Sequence, residues 1–502
     1  MGSSIRCLVR RDTYRDSVEL MRVAAQLERL PGVLRAALMM ATPANRQLLD
    51  EAGLLERDGI AARPNDLVVA VAAEEDASAE RALAEAERLL VARIAPTPSS
   101  SEEAAPRSIT DALAQLPDAN LAIISTPGAY ATAEALKALK RGLHVFLFSD
   151  NVPIADEIEL KRVARRKGLL LMGPDCGTAI LDGVPLGFAN AVGRGRLGLA
   201  GASGTGLQQV SCLIDRFGEG VSQVVGVGSR DLDERVGGLM MLSAIEHLAH
   251  DASTTVIVLV SKPPAPSVAV RVLETARATG KPVVVTFLGG DPEAISQAGA
   301  MPAATLEDAA RFAVALIRGE ALAASDGLDP ELVARARVGV GRPAAGQHHI
   351  RGLFSGGTLC QEAAVIIDES AGRDAGHTSI DLGDDAYTQG RPHPMIDFRL
   401  RNARIVSAAA DPTTAVILLD VVLGYGAHPD PAGALTPAIE HARQHAREAG
   451  RSVAFVASVC GTQRDPQNLP LQEDKLAAAG VNLARSNAQA ARLAAALVRV
   501  MP

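Results

Sequence analysis

Residues 198–215 read GLAGASGTGLQQVSCLID, and residues 352–368 read GLFSGGTLCQEAAVIID. The two stretches match with a one-residue gap beside the glycines, and each leads from an apolar strand through a glycine turn into a helix. The correspondence continues in order: VVGVGSRDLD (224–233) with SIDLGDDAYT (379–388), TTVIVLVSKPP (254–264) with TTAVILLDVVLGYG (413–426), and GKPVVVTFLGG (280–290) with GRSVAFVASVCGT (450–462). Both halves close on an alanine-rich helix, LEDAARFAVALI (306–317) or NAQAARLAAALV (487–498). Strand–helix units recurring in order after roughly 150 residues predict two related doubly wound domains of flavodoxin-like type, over 195–335 and 350–502.

Upstream, residues 108–190 alternate helices with the near-continuous apolar strands NLAIIS, HVFLFSD and LLLMGP, the pattern of a parallel sheet covered on both faces. A third α/β domain is expected over 106–192. Residues 1–95 alternate apolar runs (IRCLV, VLRAALMM, DLVVAVA) with the amphipathic RDSVELMRVAAQLERL, a βαβ-type pattern for a small α/β domain. IAPTPSSSEEAAPRS (94–108) reads as a linker. A chain of 502 residues exceeds what one hydrophobic core fills, so this division is also what its length demands.

Composition excludes several classes of function. The net charge of −8, 3% aromatics and absence of Trp leave neither a basic phosphate footprint nor stacking platforms, which argues against nucleic-acid binding. Cys7, Cys176, Cys212, Cys360 and Cys460 lie far apart with no C-x-x-C pair, which argues against a disulfide framework or a zinc site and fits a reducing cytoplasm. No apolar run approaches the ~18 residues of a membrane-spanning helix, so no membrane role is expected.

The glycine turns carry the chemistry. Ser203, Gly204, Thr205 and Gly206 open one helix, and Ser355, Gly356, Gly357 and Thr358 open its repeat. Glycine lets backbone N–H groups approach an anion, Ser and Thr add hydroxyls, and the helix end adds partial positive charge. One helix end contributes only about 0.3 to 2 kcal/mol, whereas millimolar binding needs about 4 kcal/mol. Two ends converging on one phosphate or carboxylate, with N–H bonds added, would suffice. The alternative reading is that these glycines serve strand-to-helix packing alone.

MGPDCGTAI (172–180), followed by GLAGASGTGLQQV and VVGVGSRD, resembles the core of the succinyl-CoA synthetase alpha subunit. GLFSGGTLCQEA, SIDLGDD and VVLGYG resemble the carboxyl domain of its beta subunit, here fused on one chain. With RDTYRDSVELMR (11–22), TPANRQLLDEAGLL (42–55) and DLGDDAYTQGRPHPMIDFRLR (381–401), the chain resembles the FdrA proteins over nearly its whole length. The resemblance implies a truncated Rossmann-like CoA-binding-type domain over 106–192 and two succinyl-CoA synthetase-like (ligase) domains after it. FdrA relatives are linked to oxamic transcarbamylase, which splits oxalurate with phosphate into oxamate and carbamoyl phosphate in anaerobic allantoin breakdown. The implied expectations are phosphate as a substrate, an oligomer with further carbamoyltransferase subunits, and carbamate kinase as a candidate partner.

Departures from the synthetase pattern remove parts of its chemistry. Where the synthetases carry His-Ala-Gly-Ala, this chain has Gln297-Ala298-Gly299-Ala300, and an amide is not nucleophilic enough to take up a phosphoryl group. The acidic residue that steadies the phosphohistidine would fall in VLVSKPPAP (258–266), where Lys262 stands. A cation there suits a free anion. The ATP-grasp half is missing, no G-x-x-x-x-G-K-[ST] replaces it, and the first strand and glycine turn of the CoA-binding domain have no counterpart before 108, which counts against CoA.

The densest polar cluster is Asp384, Asp385, Arg391, His393 and Asp397, in a Pro-flanked stretch after a strand. It is either a surface loop or a site in which Arg391 clamps a carboxylate and His393 carries a proton. Lys262, Arg391 and His393 are the expected catalytic residues. Arg230 and Asp231, in the matching loop of the first repeat, read equally as an ion pair or as anion binders. His428 is a further candidate. His348 and His349 read as solvated linker, and Cys176 and Cys360 as buried small hydrophobes. Three functions follow: a subunit of a carbamoyl-transferring complex, an acyl-CoA ligase, or a non-catalytic anion-binding scaffold.

Overall fold

The computed structural model describes residues 4–499 apart from 14, 16, 43–44, 47–48, 51–52, 56, 93–105, 107, 324–326, 329, 341–345, 373–374 and 389–391. Most of the expected linker and Arg391 lie outside the described residues. The chain forms two compact units, residues 1–105 with 384–393, and residues 106–383 with 394–502.

In the first unit the elements are β1 (Ser4–Arg10), α1 (Ser17–Leu27), β2 (Val33–Met40), β3 (Leu67–Ala73) and α2 (Asp76–Ala92). The sheet order is β1-β3-β2 with β3 antiparallel to both neighbours, so the expected βαβ unit is split by a third strand. The reason lies in β3 itself. LVVAVAA is buried at every position: Leu67, Val69 and Val71 face one core with Leu20, Leu27 and Leu90, while Val68, Ala70 and Ala72 face another with Leu49 and Leu54. A strand apolar on both faces takes the centre of a sheet.

The second unit begins with α3 (Ile109–Gln115), β4 (Leu121–Ile124), α4 (Gly128–Lys140), β5 (His144–Leu147), α5 (Ile154–Arg166) and β6 (Leu171–Met172), a three-stranded parallel sheet in the order β4-β5-β6. A hairpin follows, β7 (Thr178–Leu181) and β8 (Val184–Gly187). The sequence places this hairpin in the 106–192 domain, but it pairs antiparallel with the next sheet, Ile180 opposite Val224, and covers that sheet's open edge.

The first repeat comprises β9 (Arg194–Gly201), α6 (Gly204–Arg216), β10 (Val221–Gly226), α7 (Leu239–His250), β11 (Val256–Ser261), α8 (Pro266–Ala278), β12 (Val283–Phe287), α9 (Pro292–Gln297), β13 (Met301–Pro302) and α10 (Leu306–Arg318). After α11 (Pro330–Val340) the second repeat comprises β14 (His349–Phe354), α12 (Gly357–Ala371), β15 (Thr378–Asp381), α13 (Arg399–Ala410), β16 (Thr414–Val422), α14 (Pro431–Glu448), β17 (Ala454–Cys460), α15 (Leu469–Ala478), β18 (Val481–Ala484) and α16 (Asn487–Val498). The parallel strands run β13-β12-β11-β9-β10 in one sheet and β18-β17-β16-β14-β15 in the other, the same flavodoxin-like order twice. One continuous core joins them: Leu207 and Val210 of α6, Leu359 and Ala363 of α12, and Ala491 of α16 belong to a single apolar cluster. His349 therefore opens a strand instead of lying in a solvated linker, its Nδ1 2.8 Å from the Thr413 hydroxyl. Among the described residues no helix is long and apolar enough to cross a membrane.

Candidate functional site

The first strands of the two repeats, β9 and β14, aim the starts of α6 and α12 at one another. Ser203, extended at φ −160°, caps α6 by accepting the Gly206 N–H at 3.1 Å, and its hydroxyl lies 2.6 Å from that of Thr358 in the second turn. A Cβ on Gly356 would lie 2.8 Å from the Thr205 methyl, so glycine is what permits this approach. Ser203, Thr205, Ser355 and Thr358 are buried in the contact, whereas Gly204 and Gly357, the first residues of the helices, are half-buried. The first backbone N–H groups of a helix have no partner within their own helix, and here they belong to these two partly exposed glycines and their neighbours.

The two turns are not equivalent. In the second, the Asp420 carboxylate accepts the Ser355 N–H at 2.8 Å, the Gly356 N–H at 2.8 Å and the Ser355 hydroxyl at 3.1 Å. Arg401, fully buried, donates to the same carboxylate at 2.6 Å. Strand pairing sets Val260 beside Gly201 in the first repeat, whereas in the second it ends with Leu419 beside Leu353, one residue before Asp420; the Val260 side chain also stands 2.9 Å from where a Cβ on Gly206 would lie. The first turn is therefore backed by an apolar side chain and the second is filled by the protein's own anion. The expectation that Ser355 and Gly356 bind an outside anion is corrected accordingly, because their donors are already taken.

Lys262 is exposed at the end of β11, and its Nζ lies 3.3 Å from where a Cβ on Gly357 would stand; the Asp381 Oδ2 lies 2.3 Å from the same point. Burial pushes the Cys360 thiol behind them up to about 12, with the carboxylates of Asp381 and Asp420 adding to the effect and Lys262 opposing it. Burial likewise raises Cys176 to about 12, so neither thiol is an activated nucleophile.

Other predicted residues are placed elsewhere. Gln297 is exposed at the end of α9 and donates to Glu293 of its own helix at 3.2 Å. Asp231 is fully buried, accepts Lys161 at 2.8 Å and the Met240 and Met241 N–H groups at the start of α7, and Arg230 pairs with Glu157 at 2.8 Å. Both are engaged in the fold and do not serve an anion at the helix starts. His428 accepts the Asp430 N–H through Nδ1 at 3.0 Å and stands edge-on to Phe398. Asp384 caps a single helical turn through the Ala386 N–H, and Asp397 pairs with Arg399. Asp384, Asp385 and His393 belong to the first unit and Asp397 to the second. Asp381, Asp420 and Arg401 were missed. A charge inside the apolar run VILLDVVL was the available signal for Asp420.

Comparison with known proteins places this geometry. A model described as CoA-ligase matches residues 353–497, one described as CoA binding domain matches 194–289, and one described as AllF, heavy metal-associated domain, matches 3–106. The CoA-binding match thus falls on the first repeat and not on the 106–192 domain. The mitochondrial succinate–CoA ligase (ADP-forming) subunit alpha-2 of Trichomonas vaginalis is 29% identical over 150 residues, 29% of this chain and 47% of that one, so the match spans about half of that subunit. The crystal structure of PH0766 from Pyrococcus horikoshii OT3 covers 80% of this chain and 87% of its own at 15% identity, with a TM-score of 0.35. The family-model and sequence matches define a succinyl-CoA synthetase-type protein of the acyl-CoA synthetase superfamily. Within that class the chain belongs to the FdrA/AllF-like family of the Escherichia coli (strain K12) protein YahF, to which it is 43% identical over 511 residues, 98% of each chain.

Two groups implied by these matches were tested against the residues present. For a heavy metal, Cys7 is the cysteine of the first unit, its thiol donates to the Leu54 carbonyl at 3.2 Å, and among the described residues no group of His, Cys, Asp and Glu is placed to hold an ion. The described residues do not fit a metal. For coenzyme A, an apolar groove of about 310 Å³ beside α3 and β4, lined by Leu113, Leu116, Leu121 and Ile123, carries Glu134 as its charge. Lys262 stands beside the α6 and α12 starts, and the CoA-binding match spans residues 194–289, so coenzyme A is compatible with the first repeat.

Proposed function

We propose that this chain is the phosphate-binding subunit of a carbamoyltransferase that acts with partner proteins in allantoin breakdown, cleaving oxalurate with phosphate to oxamate and carbamoyl phosphate. The observation that carries the reading is the pair of helix starts joined through Ser203 and Thr358 beside Lys262, with a glutamine turned to its own helix where the synthetases use histidine. An oxygen of hydrogenphosphate attacks the carbamoyl carbon, the bond from that carbon to the oxamate nitrogen breaks, and the phosphate's proton ends on that nitrogen. The balance requires no nucleotide. The N–H groups of Gly204 and Thr205 orient the phosphate, and Lys262 offsets charge gathering at the opening. Arg391 is proposed to clamp the substrate carboxylate and His393 to carry the proton.

The test is reconstitution with the products of the adjacent genes: carbamoyl phosphate should appear from oxalurate only when phosphate and this chain are both present. Equal turnover without the chain would leave it a scaffold. The CoA-ligase and CoA-binding matches favour a second reading, acyl-CoA ligation, with carbamate kinase then no partner. Labelled ATP, or succinyl-CoA with labelled phosphate, separates the two. Carbamoyl transfer predicts no acid-labile phosphate on the chain, and label on any histidine would put ligation first.

A further inference from the structure

Three imidazoles gather where β14 begins, at the end of the strand opposite the start of α12. The ring centres of His348 and His349 lie 4.2 Å apart, and His377, in the approach to β15, stands edge-on to His349 at 6.3 Å. The bonds of two of these rings fix their protonation. The Nδ1 of His349 lies 2.9 Å from the Arg351 guanidinium, which has donors only, so this nitrogen accepts and carries no proton. The Nδ1 of His377 accepts the Ile350 backbone N–H at 3.2 Å, which imposes the same state on it. Gly376, at φ +74°, permits the close packing, because a Cβ there would lie 2.5 Å from the His349 Nε2. Burial lowers both rings from the usual 6.5. Arg351 and His348 add to this at His349 against Asp411, while His349, Arg351 and His348 add to it at His377 against Asp368 of α12. Asp411 is itself engaged, by Arg351 at 3.0 Å, and Arg451 donates to its carbonyl at 3.2 Å.

What these rings hold is an edge strand. β15 pairs with β14 over four residues, and none of the four is buried. Its entry is fixed by the Arg351 guanidinium, which donates to the Gly376 carbonyl at 2.7 Å, and by the bond between Ile350 and His377. At its far end stands Asp381, whose Oδ2 occupies the space of a side chain at Gly357. We propose that His349 and His377 are a proton-sensitive latch on β15, which holds the strand while both rings are neutral and releases it, Asp381 included, when they charge. A proton on the Nδ1 of His377 sets a donor against the Ile350 N–H. A proton on the Nδ1 of His349 sets an imidazolium against the Arg351 guanidinium, and like charges in contact repel. The released strand leaves the rest of the repeat folded, because β14, β16 and β17 keep their own pairing.

A ring whose pKa is lowered by the fold stabilises it above 6.5, and that stabilisation is lost as the pH falls through the lowered value. Hydrogen–deuterium exchange of the full chain reads this locally, as the protection of residues 378–381 relative to the central strand β17 at about pH 7.5 and about pH 5.5. In the wild type the relative protection should fall at the lower pH by about three- to tenfold for each histidine that opening allows to charge. His349→Asn with His377→Asn keeps an acceptor oxygen in the place of each Nδ1 and takes up no proton. That double variant should protect β15 equally at both pH values. Wild-type protection that does not change relative to β17, or an acid loss that persists in the double variant, would overturn the latch. Titration of the wild-type imidazole ring protons by NMR decides the matter if the variant does not fold. Both rings should titrate below 6.5, and a value at or above 6.5 for either would overturn the proposal equally.

Discussion

A single buried carboxyl gives the repeats a pH dependence of their own. Glu362 of α12 is fully enclosed, accepting the Leu306 N–H at 2.7 Å and the Asn487 amide at 2.8 Å. Burial pushes it from 4.5 up to about 7, with Glu307 adding to the effect, while Asn487, the Leu306 N–H and Arg492 pull the other way. A raised pKa means the native state holds a proton that the unfolded chain releases. The stabilisation is complete below 4.5 and is lost as the pH rises through about 7. Glu362→Gln should remove that part of the dependence, so that the variant gains on the wild type as denaturant stability is followed from about pH 5 to about pH 8. Parallel curves would show that Glu362 keeps its charge. The same scale holds Gly204 and Gly357, which look alike in sequence. Gly204→Val is the milder change, since a Cβ there meets the Thr178 hydroxyl at 3.3 Å and that neighbour must give by a few tenths of an ångström, whereas Gly357→Val must expel Asp381.

At the scale of elements, the two helix starts differ in what fills them, since Asp420 takes the Ser355 and Gly356 N–H groups of the second. Asp420→Ala should leave the buried Arg401 guanidinium and two N–H groups without their acceptor, a loss of about 3 to 5 kcal/mol. Formate or acetate should restore part of the melting temperature by entering the space, and the wild type should show no such response. Absence of rescue would mean that the turn collapses when the carboxylate leaves. Sequence reading saw the two turns as equals because their glycines and hydroxyls repeat. What separates them, Val260 against Asp420, lies on the third strand of each repeat, some sixty residues away, where only strand pairing brings it back. The strand orders of both repeats were legible because buried parallel strands are apolar throughout. The split sheet of the first unit was not, since alternating apolar runs do not say which strand is central.

For the whole molecule, the proposed carbamoyl transfer calls on partner proteins as well as on this chain. In the reconstituted reaction, Arg391→Ala should mainly raise KM for the carboxylate substrate, because a clamp holds ground and transition states alike. His393→Gln should lower kcat by ~100-fold if it moves the proton. Gln297 was readable from sequence as the loss of a phosphoryl carrier, and it stands at the exposed end of α9. The residues that line the opening, Lys262 and Asp381, come from different repeats, and only one of them stood out beforehand. The claim on which the rest depends is that the paired helix starts bind one phosphate-type anion. Calorimetric titration of the full chain with inorganic phosphate, at low ionic strength, measures it directly. The account predicts one site per chain with a Kd of about 1 mM or below, weakened by added chloride and by Lys262→Gln, and abolished by Gly204→Val in a protein that still unfolds cooperatively. No heat of binding, or binding unchanged in Gly204→Val, would contradict it.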